Sequence, residues 1–133
     1  MGCRGRACPR MHYEQGTDNL TLFRLLLVAI IAIVVGYTVF VVADHGLNFL
    51  PFYFDDVAKM GWPGQFDMDF SALLILGSVW LMWRHHFSPL GLLCGLAIFP
   101  FGAPFLCSYL LIASFQADGD VKELLLGKTR ASA

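Results

Sequence analysis

The sequence predicts an all-α integral membrane protein, a bundle of three transmembrane helices with an interfacial or re-entrant first loop. Two observations about the whole chain and one about its pattern predict this. Its 133 residues are 57% hydrophobic and only 14% charged, whereas soluble domains run near ~45–50% and ~25%. Mean hydropathy is +0.64. The apolar residues fall into three long runs divided by short polar stretches, the pattern of membrane helices. Disorder is excluded, because it needs low hydrophobicity and high net charge. A net charge of −1 gives no reason to expect a nucleic-acid partner.

Residues 1–19 form a polar N-terminal segment, in which Met11 offers a second possible start. The first helix is predicted over 20–43, where Arg24 is the only charge. About 20 apolar residues cross the ~30 Å hydrocarbon layer, and Arg24 is close enough to the end to snorkel. Val41-x-Ala43 resembles a signal-peptidase site, but the long uncharged run before it favours an uncleaved anchor. Residues 44–67 read as an extramembrane or interfacial loop, because they mix aromatics with Pro51, Gly61, Pro63, Gly64, Asp55 and Asp56.

The second helix is predicted over 68–87, with Asp67 or Asp69 as its N-cap and Trp80 and Trp83 as interfacial aromatics. Ser88-Pro89 is a strong start signal for a third helix over 88–115. Pro100 and Pro104 should kink that helix. Only Arg84–Ser88 separates it from the second, which implies a tight antiparallel hairpin. Residues 116–133 form a polar tail.

Small residues let membrane helices approach closely. Gly91, Gly95 and Gly102 share one face of the third helix, with Gly91–Gly95 forming a GxxxG pair. Ala29, Ala32, Gly36 and Ala43 share a face of the first. These are the expected packing residues, either within the bundle or against a partner.

The chemistry expected of transporters, haem anchors and metal sites is thin. Residues 25–43, 70–83 and 87–117 contain no Asp, Glu, Lys, Arg or His, whereas ion-coupled carriers usually hold ionisable groups inside the membrane. His45 follows the first helix and His85 and His86 the second. Opposite directions of travel place them at opposite faces, too far apart to share a haem. Asp44, Asp55, Asp56, Asp67 and Asp69 match no metal-ligand loop and read as caps and solvated interfacial groups. Cys94 and Cys107 would lie ~20 Å apart on a straight helix, and Cys3 and Cys8 lack metal spacing. All four read as unpaired thiols. No catalytic residue, cofactor ligand or metal site is therefore expected.

The tract Gly61-Trp62-Pro63-Gly64-Gln65-Phe66, followed by Asp69-Phe70, Trp80, Arg84, Gly91, Gly95, Tyr109, Gly119-Asp120 and Leu125-Leu126-Gly127, resembles a group of small bacterial membrane proteins classed as a domain of unknown function. The likeness covers residues 20–128. It implies a multi-pass protein of the bacterial cytoplasmic membrane and carries over no activity.

The functional expectation is a non-enzymatic accessory or assembly subunit, surrounded by the lipid bilayer and joined to a larger complex or to a second copy. An oligomeric channel or carrier for a small solute is the alternative, and a membrane cofactor anchor or enzyme is the third. Three crossings would place the tail opposite the Arg84–Ser88 turn. Lys/Arg counts barely orient the chain. They give five inside against four outside with the N-terminus inside, and two against four if translation starts at Met11.

Overall fold

A computed structural model describes residues 11–133, with side chains from Asp18 onward. The described residues are mostly helical, and none of them forms a strand. The chain is a multi-pass membrane protein built as an all-α three-helix bundle. Three of its helices, including the part of α1 from Asp18 on, are long and apolar enough to cross a membrane. In order, the helices among the described residues are α1 (Met11–His45), α2 (Leu50–Ala58), α3 (Trp62–Arg84), α4 (Pro89–Gln116), α5 (Val121–Leu126) and α6 (Lys128–Ala131), and α1, α3 and α4 are the long ones. Helix α4 packs against both α1 and α3, and α2 packs against α3.

The first loop contains a helix of its own. Pro51 stands in the first turn of α2, where its missing N–H costs nothing. Gly64 fixes how α2 meets α3. A Cβ there would lie 2.3 Å from the Asp56 carbonyl oxygen, so only glycine permits the approach. Tyr53 Oη and Ser71 Oγ add a hydrogen bond of 2.8 Å between the two helices. Helix α3 starts earlier than the acids suggest. Its N-cap is Gly61, with Pro63 in the first turn, and Asp67 and Asp69 lie inside the helix, so neither caps it. The preset φ of proline is a stronger start signal here than a carboxylate.

At the other end of α3 the chain turns tightly. His86 N–H donates to the Trp83 carbonyl at 3.1 Å and Phe87 N–H to the Met82 carbonyl at 2.8 Å, which satisfies carbonyls left open at a helix end. His86 and Phe87 both take positive φ, 53° and 54°. Ser88 Oγ then accepts from Gly91 N–H at 3.2 Å and caps α4.

Helix α4 is folded in two. Gly102 has φ 58° and ψ −140°, a conformation open to glycine alone. Pro100 and Pro104 on either side each remove a helical donor. The arm before Gly102 runs down α3, with Gly91 against His85, Gly95 against Ser78 and Met82, and Ile98 beside Gly77. The arm after it runs back, with Leu106 beside Gly77 and Tyr109 against Trp80 and His85. A cleft of about 220 Å³ is lined by His85 and His86 together with Ala113, Gln116 and Ala117. On a straight helix of 28 residues the two ends of α4 would be ~40 Å apart.

This corrects the expectation that the tail lies opposite the Arg84–Ser88 turn. The prolines predict a kink, but the reversal needs the backbone of Gly102 as well. Cys94 and Cys107, both free thiols, sit on different arms, so a straight-helix separation does not describe them. Cys3 and Cys8 lie outside the described residues.

Candidate functional site: a tied polar end and an open apolar groove

The charged side chains that bond across the fold gather at one end of the bundle. Arg84, the last residue of α3, donates from Nε to the Leu124 carbonyl at 3.1 Å and from Nη1 to Tyr109 Oη. Its Nη2 reaches the Glu123 carbonyl at 3.5 Å. Tyr109 Oη also pairs with His85 Nε2 at 2.6 Å. One guanidinium thus joins α3, the returning arm of α4, and α5. The Leu124 carbonyl lies in the last turn of α5, where intrahelical bonds leave carbonyls open, and the Glu123 carbonyl also accepts from Gly127 N–H at 2.9 Å.

Two further arginines act in the same way. Arg24 on α1 donates from Nε to Ser114 Oγ at 3.0 Å and from Nη2 to the Ser114 carbonyl at 2.6 Å. It also lies 4.2 Å from the centre of the Phe115 ring. Arg130 stacks 4.1 Å from the Trp83 ring centre and points Nη2 at the Trp83 carbonyl, 3.4 Å away. Leu20, Ala113, Ala117 and Leu124 form a buried cluster around these ties. Asp120 caps α5, accepting from Lys122 and Glu123 N–H.

His85 stands at the edge of the cleft. Its pKa lies below the ordinary 6.5, chiefly because burial strips water from the imidazolium and further because Arg84 and His86 repel its charge. The side chain is neutral near pH 7, consistent with its bond to Tyr109.

The opposite end has a different character. A groove of about 940 Å³ opens between α1 and the bend of α4, within the ~300–1,000 Å³ range of ligand pockets. Val42, Phe49, Phe70, Phe101 and Phe105 are among its walls, with Thr38 and Ser108 as the side-chain hydroxyls. Both hydroxyls are engaged within their own helices. Thr38 donates to the Val34 carbonyl at 2.8 Å, and Ser108 to the Pro104 carbonyl at 2.7 Å. Such back-bonding is the usual behaviour of Ser and Thr inside helices.

The predicted packing residues are distributed unevenly. Gly91 and Gly95 are buried. A Cβ on Gly95 would lie 2.6 Å from Met82 Cε, and Ser78 Oγ donates to the Gly95 carbonyl at 2.9 Å. Gly102 makes the bend. On α1, Ala29 and Ala32 are exposed, and a Cβ on Gly36 would meet nothing within 4 Å. Within the chain α1 instead buries Leu20 and Leu27. His45 stands at the groove end against Phe52, away from His85 and His86. The loop acids do not assemble, and no group of three or more His, Cys, Asp or Glu among the described residues could hold a metal.

Sequence reasoning missed the arginine ties and the Gly64 contact. Arg84, Tyr109, Asp120 and Gly127 stood in the tract that carried the family resemblance, but nothing in their spacing joined them. No family model, no curated protein and no solved structure matches the chain.

Proposed function

We propose that the protein is a non-enzymatic membrane subunit that associates laterally with another membrane protein through the outward face of α1. The observation that carries this reading is the state of α1. Only 6% of its apolar window is buried within the chain, against 22% for α4, and its exposed side presents Ala29, Ala32 and Gly36 in one stripe. Helices pack in lipid through such faces because backbones can approach closely. The polar groups at the far end are consumed by ties that hold the fold, which leaves them poor candidates for turnover chemistry. The bacterial cytoplasmic membrane is the expected location, on the sequence resemblance alone.

The test is site-specific photocrosslinking in native membranes. A photoreactive residue at Ala32 should capture one stoichiometric protein, either a different membrane protein or a second copy. The same group at Leu76, on the exposed side of α3, should capture lipid. Lipid alone at both positions would contradict the proposal. A second reading, a carrier for a small apolar solute, draws on the groove beside the broken α4, since broken helices build sites in transporters.

A further inference from the structure

The folding of α4 redistributes charge between the two ends of the bundle. Helix α1 leaves the end where Leu20 meets Leu124 and reaches α2. Helix α3 returns, and α4 goes out and comes back. Residues 20, 84–88 and 121–131 therefore share one end. With a straight α4 the tail cations would join Lys59 and face Arg24 and Arg84 from the opposite end, four against two. With the folded α4, Arg24, Arg84, Lys122, Lys128 and Arg130 all lie at one end, and Lys59 is the single described Lys or Arg at the other. Asp44, Asp55, Asp56, Asp67 and Asp69 accompany Lys59. The five-to-one ratio counts only the described residues, beyond Met11.

We infer that the end bearing Arg24, Arg84, Lys122, Lys128 and Arg130 faces the cytoplasm and is seated in its anionic headgroup layer, with α2 and the loop acids on the other side. Lys and Arg near span ends set orientation, while acids contribute little. The cytoplasmic leaflet carries the negative surface potential that attracts such residues. Helix α5 suits that depth. Leu124 is buried in the bundle, whereas Val121 and Leu125 are exposed beside the solvent-facing Lys122, a short amphipathic surface of the interfacial kind. Trp83, stacked under Arg130, stands at the same level, where membrane proteins concentrate tryptophan.

The test is cysteine accessibility in the full chain, on a background with Cys3, Cys8, Cys94 and Cys107 replaced by serine. Lys59→Cys, His86→Cys and Lys128→Cys are labelled with a membrane-impermeant maleimide in intact cells and again after detergent permeabilisation. Phe87→Cys is a second reporter for the turn, should His86→Cys lower abundance. Lys59→Cys should label fully in intact cells. The turn reporter and Lys128→Cys should label only after permeabilisation. Opposite behaviour of the turn and Lys128 would overturn the shared end. Outside labelling of both, with Lys59 protected, would overturn the charge argument while leaving the folded α4 in place.

Discussion

The two ends of the bundle are held by different physics. At the Arg84 end, three guanidinium groups bind carbonyls and hydroxyls from distant parts of the chain, and a buried apolar cluster surrounds them. At the α2 end, contact rests on the close approach at Gly64 and one hydroxyl pair, beside a wide groove. Hydrogen bonds involving charged groups contribute about 1.5–3 kcal/mol, so the first end should unfold last and the second should open first. The lesson is that arginine near a span end need not be a snorkelling anchor. Where the chain brings helix-end carbonyls back to it, arginine becomes a clasp.

The largest effect should come from the helix contact that both ends depend on. A Cβ alone on Gly95 would already lie 2.6 Å from Met82 Cε, so Gly95→Leu should exceed the upper end, about 3 kcal/mol, of the usual cost of overpacking. Its thermal midpoint in detergent should drop by several degrees, whereas Gly36→Leu, facing open space, should leave the midpoint of the isolated chain unchanged. Equal behaviour of the two variants would break the distinction between packed and free small-residue faces.

Arg84→Ala should cost about 1.5–3 kcal/mol and loosen one end selectively. Hydrogen exchange is expected to accelerate in 121–131 and around Tyr109, with α2 unaffected. Uniform acceleration along the chain would mean that the ends are not separate units.

A smaller effect concerns pH. The folded chain holds the His85 pKa below its ordinary 6.5, so the unfolded chain takes up the proton more readily. Stability from neutral His85 is full above that ordinary value and declines as pH falls through the lowered one. The thermal midpoint should therefore drop on acidification below about 6.5, and His85→Gln, which does not titrate, should flatten the decline. An unchanged decline in His85→Gln would assign it to other groups. The smallest effect is expected at the α2 end. Asp55 holds the Lys59 pKa above its ordinary value, but this pair is exposed. Exposed pairs contribute little, and Lys59→Ala should not move the midpoint.

Much of the fold was legible because hydropathy and helix signals are local. The three apolar runs, the Ser88-Pro89 cap and the Pro100/Pro104 break can each be read from a few adjacent residues. The clasp was not legible, because Arg24 and Ser114 are ninety residues apart and no period links them. The reversal of α4 was only half legible. Two prolines announce a break, but its angle depends on Gly102 and on whether each arm finds a surface on α3 to pack against. Gly91, Gly95 and Ile98 provide that surface for one arm, and Leu106 and Tyr109 for the other. The exposed stripe on α1 had the same appearance in sequence as the buried glycines on α4, since spacing reports a shared face and not what covers it.

The folded α4 is the claim on which the tied end and the charge asymmetry both rest, and a distance across it tests it most directly. Spin labels on cysteines at Leu90 and Phe115, both exposed, in a background without native cysteines, can be measured by pulsed electron resonance in bilayers. The folded helix predicts a separation of roughly 20 Å or less, about two helix diameters. A distance near ~37 Å, the length of a straight helix between those positions, would contradict it.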